Sequence, residues 1–465
     1  MSKQFRNCDL NQAYLLPPSL QDWLPEGHLA RFVADVVETL DLTAMYATYE
    51  VKDGRGLAAY DPRMMVRLLI YAYCRGVPGS RRIERATHED VAFRYLAADQ
   101  HPDHTTIADF RKDHLANLSQ LFVQVLKLCQ QAGLVKLGHV ALDGTKVKAN
   151  ASKHKAMSYA RMEETEKRLQ AEVAALLAEA ARVDAEEDAK YGKGKRGDEL
   201  PQELARRESR LKKIGEAKAA LEAEAKEAAQ QKQGEVEARL KERQKQEEER
   251  GRKFGGRPPQ APDPEQAKPD PKAQRNFTDP DSRIMKDGAT KEFVQAYNAQ
   301  AVVDSHAQVI VAAAVTQAEN DKQELVPMLQ QVSVLTGRVP QQATADNGYF
   351  SAANVTDPRL ESIDLLVAPD RQKHGKETPV ATGPPPPGAG VAEQMRHKLR
   401  TPAGQAVYKM RKAVVEPVFG QIKEGRGFRR FLLRGWAKVE AEWKLICATH
   451  NLLKLFQCGG SLQGA

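Results

Sequence analysis

The sequence predicts an α/β protein, with a mixed-sheet domain preceded by a helical domain and interrupted after its first strand by a long helical hairpin. Three observations carry that reading. Short Val- and Ala-rich runs recur in "GHVALDGTKVKA", "VQAYNAQAVVD", "QVIVAAAVT", "QQATADNGYF" and "IDLLVAPD". Residues 156–250 consist almost wholly of Ala, Glu, Lys, Arg, Gln and Leu. The chain before residue 137 repeats its apolar residues at helical rather than strand spacing.

Residues 1–136 therefore read as a helical domain for DNA binding or assembly. Asp61-Pro62 is a helix start, a capping side chain followed by proline in the first turn, and "RMMVRLLIYAYCRG" runs on to a stop at Gly76. Ser80 is a candidate cap for "RRIERATHEDVAFRYLA". Thr106 with Asp109 resembles a capping box leading into "FRKDHLANLSQLFVQVLKLCQQAG". Short helices with arginine on their polar faces suit a DNA-binding bundle, and equally a plain helical domain with solvated arginines.

Residues 137–155 form the first part of the sheet domain. In 156–250, Leu169, Val173, Leu176, Ala180 and Val183 share one helical face. Leu204, Leu211, Ile214, Ala217 and Leu221 share another after the break "YGKGKRGDELP", so an antiparallel helical hairpin is expected. A Pro/Gly-rich linker at 251–275 closes it. The sheet domain resumes over 276–456 and a flexible tail follows at 457–465. Without the hairpin the order is β–β–β–α–β–(α)–β–α, a mixed sheet whose first three strands are antiparallel.

The formal net charge of +8 and a pI near 9.0 favour an anionic partner. Between Arg396 and Lys438 stand twelve Lys/Arg against two acidic residues, Glu416 and Glu424. The five cysteines are scattered, with no Cys-x-x-Cys pair, and read as free thiols in a reducing cytoplasm. No signal peptide and no apolar run of about 20 residues is present, so a soluble cytoplasmic protein without a membrane partner is expected.

Two aspartates have matching settings. Asp143 ends the apolar triplet Val140-Ala141-Leu142 and precedes Gly144; Asp346 closes "ATAD" and precedes Asn347-Gly348. At the ends of neighbouring strands such a pair can hold two Mg²⁺ ions about 4 Å apart, with phosphate completing the ligand set. A lone Asp-Gly or Asp-Asn-Gly is more often a turn, so the argument rests on the order of the segments. Glu416 is the candidate third carboxylate; on one helix it shares a face with Tyr408, Lys412, Phe419 and Lys423, with Arg411 well round from them. Pro417 should kink that helix or start a new one. Lys412 and Lys423, like Lys146 and Lys148 after the first aspartate, would hold backbone phosphates.

These motifs together resemble the DDE transposases of bacterial insertion sequences, in the branch that joins an N-terminal helical domain to an RNase H-like catalytic domain. "ALDGTKVKANAS" resembles the first-aspartate strand, and "ADNGYFS" the second-aspartate segment. "NFTDPDSRIMK" with "FVQAYNAQAVVD" resembles a stretch characteristic of the branch, and "YKMRKAVVEPVFGQIK" its tyrosine–arginine–glutamate–lysine signature. The resemblance covers roughly 20–150 and 276–456 and leaves out the charged hairpin. It implies Asp143, Asp346 and Glu416 as catalytic, metal-binding acids and Lys423 as the terminal lysine. Counted from Tyr408 the arginine is Arg411; counted back from Glu416 its place falls on Lys412. It further implies Mg²⁺, or Mn²⁺ as a substitute, and double-stranded DNA (terminal inverted repeats and target) as substrate. The implied chemistry is hydrolytic nicking and strand transfer by a homodimer or larger assembly. A nuclease that cleaves without joining, or a DNA-binding remnant or repressor, are the competing readings.

Overall fold

The computed structural model describes residues 19–50, 58–191, 202–252, 255–256, 258–288, 290–371 and 379–459. Cys8, most of the break "YGKGKRGDELP", the side chains of Ala180, Val183 and Leu204 and the end of the tail lie outside them. The chain divides into two compact units, Met1–Lys148 with Tyr297–Ala465, and Ala149–Ala296.

The first unit begins with seven helices: α1 (Leu29–Thr39), α2 (Thr43–Glu50), α3 (Pro62–Cys74), α4 (Ser80–Glu89), α5 (Val91–Leu96), α6 (His104–Asp113) and α7 (Leu115–Gln131). The Asp61 carboxylate accepts the Arg63 N–H at 2.6 Å, so α3 starts where the Asp-Pro pair places it. Gly76 ends it at φ +69, and a Cβ there would collide with the Arg426 carbonyl oxygen, which makes glycine necessary on two counts. Two expected helices are each divided. Asp90 separates α4 from α5 because its carboxylate takes the Ala92 N–H at 2.8 Å. The start expected at Thr106 lies inside α6, whose cap is Asp103: its carboxylate accepts from Thr105 N (2.8 Å) and Thr106 N (3.0 Å). Ser80 is likewise the first helical residue, after an N-cap at Gly79.

β1 (His139–Lys148) leads into the second unit, where β2 (Ala156–Ser158) pairs antiparallel with β3 (Gln274–Asn276). Between them α8 (Tyr159–Tyr191) and α9 (Gln202–Arg250) pack through Tyr159, Met162, Leu169, Ile214, Ala217 and Leu221. Ion pairs from Arg207 to Glu172 and from Lys218 to Glu166, both 3.0 Å, flank that seam. β4 (Arg283–Lys286) then pairs antiparallel with the start of β5 (Phe293–Asp304), Arg283 opposite Ala296.

From Tyr297 the chain is again in the first unit. β6 (Ile310–Thr316), α10 (Leu325–Thr336), β7 (Gln342–Ala345), α11 (Ala352–Val355), β8 (Asp364–Val367), α12 (Val391–Arg400), α13 (Pro402–Gly420) and α14 (Trp436–Gln457) follow. The sheet order in this unit is β6–β5–β1–β7–β8. β5 and β6 are antiparallel, with an irregularity between Val302 and Val303, while β1, β7 and β8 run parallel. The sheet is mixed, as expected. β1 runs on past Asp143 to Lys148, because its far half gains new backbone partners: the Lys148 N–H donates to Arg429 O and its carbonyl accepts from Phe431 N.

α14 is the internal prop of the unit, packed against α7, α3 and β6. Trp443 and His450 are buried, in keeping with the packing role their apolar helix suggests. The Trp443 indole donates to Gln300 O at 3.0 Å and the Asn451 amide bonds both Ile310 N and Ile310 O at 2.8 Å. Burial pushes the His450 imidazole down to about 3, so it is neutral and bonds the Gln308 carbonyl.

Candidate active site

Strand register alone brings the two aspartates level. β1 and β7 are parallel neighbours, with Ala141 opposite Thr344. Two residues further along both strands stand Asp143 and Asp346, on the same face. Each is anchored locally: the Gly144 N–H donates to Asp143 Oδ1 and the Gly348 N–H to Asp346 Oδ1, both at 2.8 Å. Burial and the neighbouring Asp346 charge push the Asp143 carboxyl up to about 7; burial also raises Asp346. Two carboxylates so placed demand a cation, a shared proton, or both.

One cation is built in. Arg411, only 8% exposed, places Nη1 3.3 Å from Asp143 Oδ2 and its guanidinium 5.7 Å from the centre of the Tyr408 ring. α13 passes through Pro417 as one helix and continues into a π-helical turn at Gln421–Gly425. No restart occurs, because the carbonyl that Pro417 cannot bond, Ala413 O, instead accepts from Gln308 Nε2 at 3.1 Å. Arg411, Val414, Val415, Val418 and Phe419 are buried along this helix, whereas Lys412 and Glu416 are exposed. Of the two candidate arginine positions, Arg411 meets Asp143 and Lys412 faces solvent. Glu416 has no hydrogen-bond or ion-pair partner among the described residues.

The lysines fall in two groups. Lys423 reaches back to β1, donating to Thr145 Oγ1 and the Lys146 carbonyl, both at 3.0 Å. Lys146 donates to the Glu319 carbonyl at 2.7 Å, and burial lowers its pKa despite the nearby Asp321, Glu319 and Asp143. Lys148 is half-buried at the end of the strand.

Sequence reading missed a third carboxylate, Asp321, which precedes α10. Its Oδ1 accepts from Asn298 Nδ2 (2.6 Å) and Gln300 Nε2 (2.7 Å), and its charge bears on both Asp143 and Asp346. Tyr349, fully buried, donates its hydroxyl to Gln300 Oε1. A signal was present in β5, where Asn298 and Gln300 stand two residues apart in a run otherwise made of buried Ala, Val and Tyr. Such residues need polar partners, and Asp321 is the partner.

Gly144 leaves the space these groups occupy. A Cβ there would stand 2.9 Å from both Asn298 Oδ1 and Asp321 Oδ1, and closer still to Gln300 Nε2. Those side chains hold one another and cannot retreat cheaply. Gly144→Ala is expected to cost about 1–3 kcal/mol of stability, read as a lower midpoint in denaturant; an unchanged midpoint would show that the cluster gives way.

The donor set at the aspartate pair is all oxygen, which suits a hard divalent cation. No group of three or more His, Cys, Asp or Glu side chains is gathered as a metal cage among the described residues. No helix among them is long and apolar enough to cross a membrane.

Comparison with known families agrees with this layout at both ends of the chain. Residues 18–113 match the family described as Transposase domain (DUF772), and residues 385–456 match the Transposase DDE domain. The second match contains Tyr408, Arg411, Glu416 and Lys423. No curated protein and no solved structure matches the chain. DDE transposase domains generally use divalent metals. With one transposase domain matched over its first helices and another ending on α14, the two matches support an insertion-sequence DDE transposase.

Proposed function

We propose that the protein cuts DNA at the ends of its insertion sequence and transfers the exposed 3′-hydroxyls into target DNA. The observation that carries this is the level pair formed by Asp143, midway along β1, and Asp346, the residue after β7, its parallel neighbour. The strand order, with β5 and β6 antiparallel and β1, β7 and β8 parallel, supports an RNase H-like catalytic domain assembled from 137–155 and 276–456. On this reading the α8–α9 hairpin of 156–250 is an insertion after the first strand, and residues 1–136 serve DNA binding or assembly.

Asp143 and Asp346, joined by Glu416 from α13, would hold two Mg²⁺ or Mn²⁺ ions, which when bound supply an activated nucleophile and stabilise the leaving oxygen. The remaining work belongs to the chain itself. Asp143 must give up its proton, and Arg411 beside it favours the charged form. Gly144 and Gly348 N–H groups fix both carboxylates for in-line attack on one phosphate. Lys146, Lys148, Tyr408, Lys412 and Lys423, with Arg411, line the path of the DNA backbone. Asp321 positions Asn298 and Gln300 behind the site. The active species is a homodimer or larger assembly on paired DNA ends.

The test is Mg²⁺-dependent cleavage and joining of DNA carrying the element's ends. Asp143→Ala, Asp346→Ala and Glu416→Ala should each lose activity by roughly 10³-fold, about 4 kcal/mol of transition-state stabilisation, while retaining DNA binding. Activity surviving in Glu416→Ala but lost in Asp321→Asn would move the third acid to Asp321. Cleavage without joining would make the protein a nuclease, and specific binding without cleavage a remnant.

A further inference from the structure

The second unit contains a basic cleft that the catalytic site does not use. It has a volume of about 670 Å³ and lies at the base of the α8–α9 pair. Lys155 before β2, Arg161 on α8, and Arg206, Arg210 and Lys213 on α9 line it, with His154 at the margin and Met157, Ile214 and Phe277 as an apolar floor. Among the described residues no carboxylate lines it.

What sets the cleft apart is the gathering of cations in one concave site, beside cations that are individually paired. Arg207, one residue along from Arg206, is paired with Glu172; Lys218 with Glu166; Arg275 and Arg283 both with Glu224. The five cleft cations have no ion-pair partner among the described residues. Arg206, Arg210 and Lys213 follow one another at four and three residues, so they project from one side of α9 along about 10 Å of its axis. Like charges at that spacing repel and destabilise a helix. Arg161 and Lys155 bring further positive charge from two other elements. A row of unpaired cations in a concave site is stabilised by an extended anion, and duplex DNA presents one phosphate charge per about 1.7 Å of its axis.

The geometry points to this cleft as a second DNA-binding site, one that grips the phosphodiester backbone away from the carboxylates that cut it. This assignment rests on the reading of the protein as a DNA-processing enzyme only for the choice of anion. The charged hairpin then has a defined DNA contact, and the remainder of α8 and α9, where cations and glutamates alternate along the sequence, serves as its support.

The experiment measures the affinity of the full-length protein for a DNA duplex as a function of salt. The triple variant Arg206→Gln, Arg210→Gln and Lys213→Gln is compared with a control, Lys232→Gln, Arg239→Gln and Lys241→Gln, which removes the same charge from exposed positions further along α9. Glutamine is a good helix former, so both variants should keep the helix. The cleft variant should bind at least about tenfold more weakly at low salt, with the slope of log K against log salt shallower by about 2–3. The control should match wild type. Equal losses in both variants, or no loss in the cleft variant, would overturn the proposal. Asp143-dependent cleavage with an unchanged slope would sink the cleft and leave the enzyme; a reduced slope without such cleavage would do the reverse.

Discussion

Asp143→Asn is expected to abolish DNA cleavage and, at the same time, to make the metal-free protein more stable above neutral pH. The Asp143 carboxyl is pushed from its ordinary 3.8 to about 7 by burial and by the Asp346 charge. A raised acid keeps its proton in the folded state over a range where the unfolded chain has released it. The sign is therefore set: stability is fullest below about pH 4 and declines as pH rises through 7. The whole effect amounts to at most about 4 kcal/mol, taking about 1.4 kcal/mol per pKa unit. Asparagine carries no charge to desolvate, so the variant escapes the decline. Chemical unfolding of wild type and Asp143→Asn at pH 5 and pH 8 without divalent metal checks this. The two stabilities should diverge toward pH 8, with the variant higher. Convergence would mean that Arg411 already neutralises the pair in the folded protein.

Trp443→Ala removes none of the reacting groups and should show instead a large loss of stability. Trp443 is fully buried on α14, against Phe419 and Phe431, and its indole N–H holds the Gln300 carbonyl. Truncation leaves a cavity costing about 3–5 kcal/mol, and an unpaired carbonyl adds to it. Trp443→Phe keeps most of the ring and should lose only about 1 kcal/mol through the missing donor. Because the Gln300 side chain bonds Asp321 and Tyr349, the phenylalanine variant also reports on the site. Its thermal midpoint should fall little while its cleavage rate falls more. Equal small changes in both would show that β5 holds its register without the indole.

Several features were readable because their causes are local. The Asp61-Pro62 start and the Gly76 stop of α3 depend on backbone conformations that few residues supply. The apolar faces of α8 and α9 follow from periodicity, and their described members Leu169, Ile214, Ala217 and Leu221 are buried together. The division between α4 and α5 was missed because Asp90 caps a new helix from within a sequence of helical period, and the start of α6 was placed late because Asp103 rather than Thr106 caps it. Periodicity shows which face is apolar, but a carboxylate two residues before a free N–H decides where a helix begins.

At the site the distinction is between identity and partnership. The sequence by itself pointed to the strands in chain order and to Asp143 and Asp346 as the carboxylates closing two apolar runs, because burial makes apolar runs into strands; the expected strand end at Asp143 is overturned, since β1 runs on to Lys148 and the carboxylate is buried. Only the tertiary structure decided which groups share the site with them. It turned Arg411 rather than Lys412 onto Asp143, put Glu416 on the exposed side of α13, and brought in Asp321 from a connection that carries no motif. Those outcomes depend on strand register and helix rotation, which are set by the packing of the whole unit and leave no trace in any short segment.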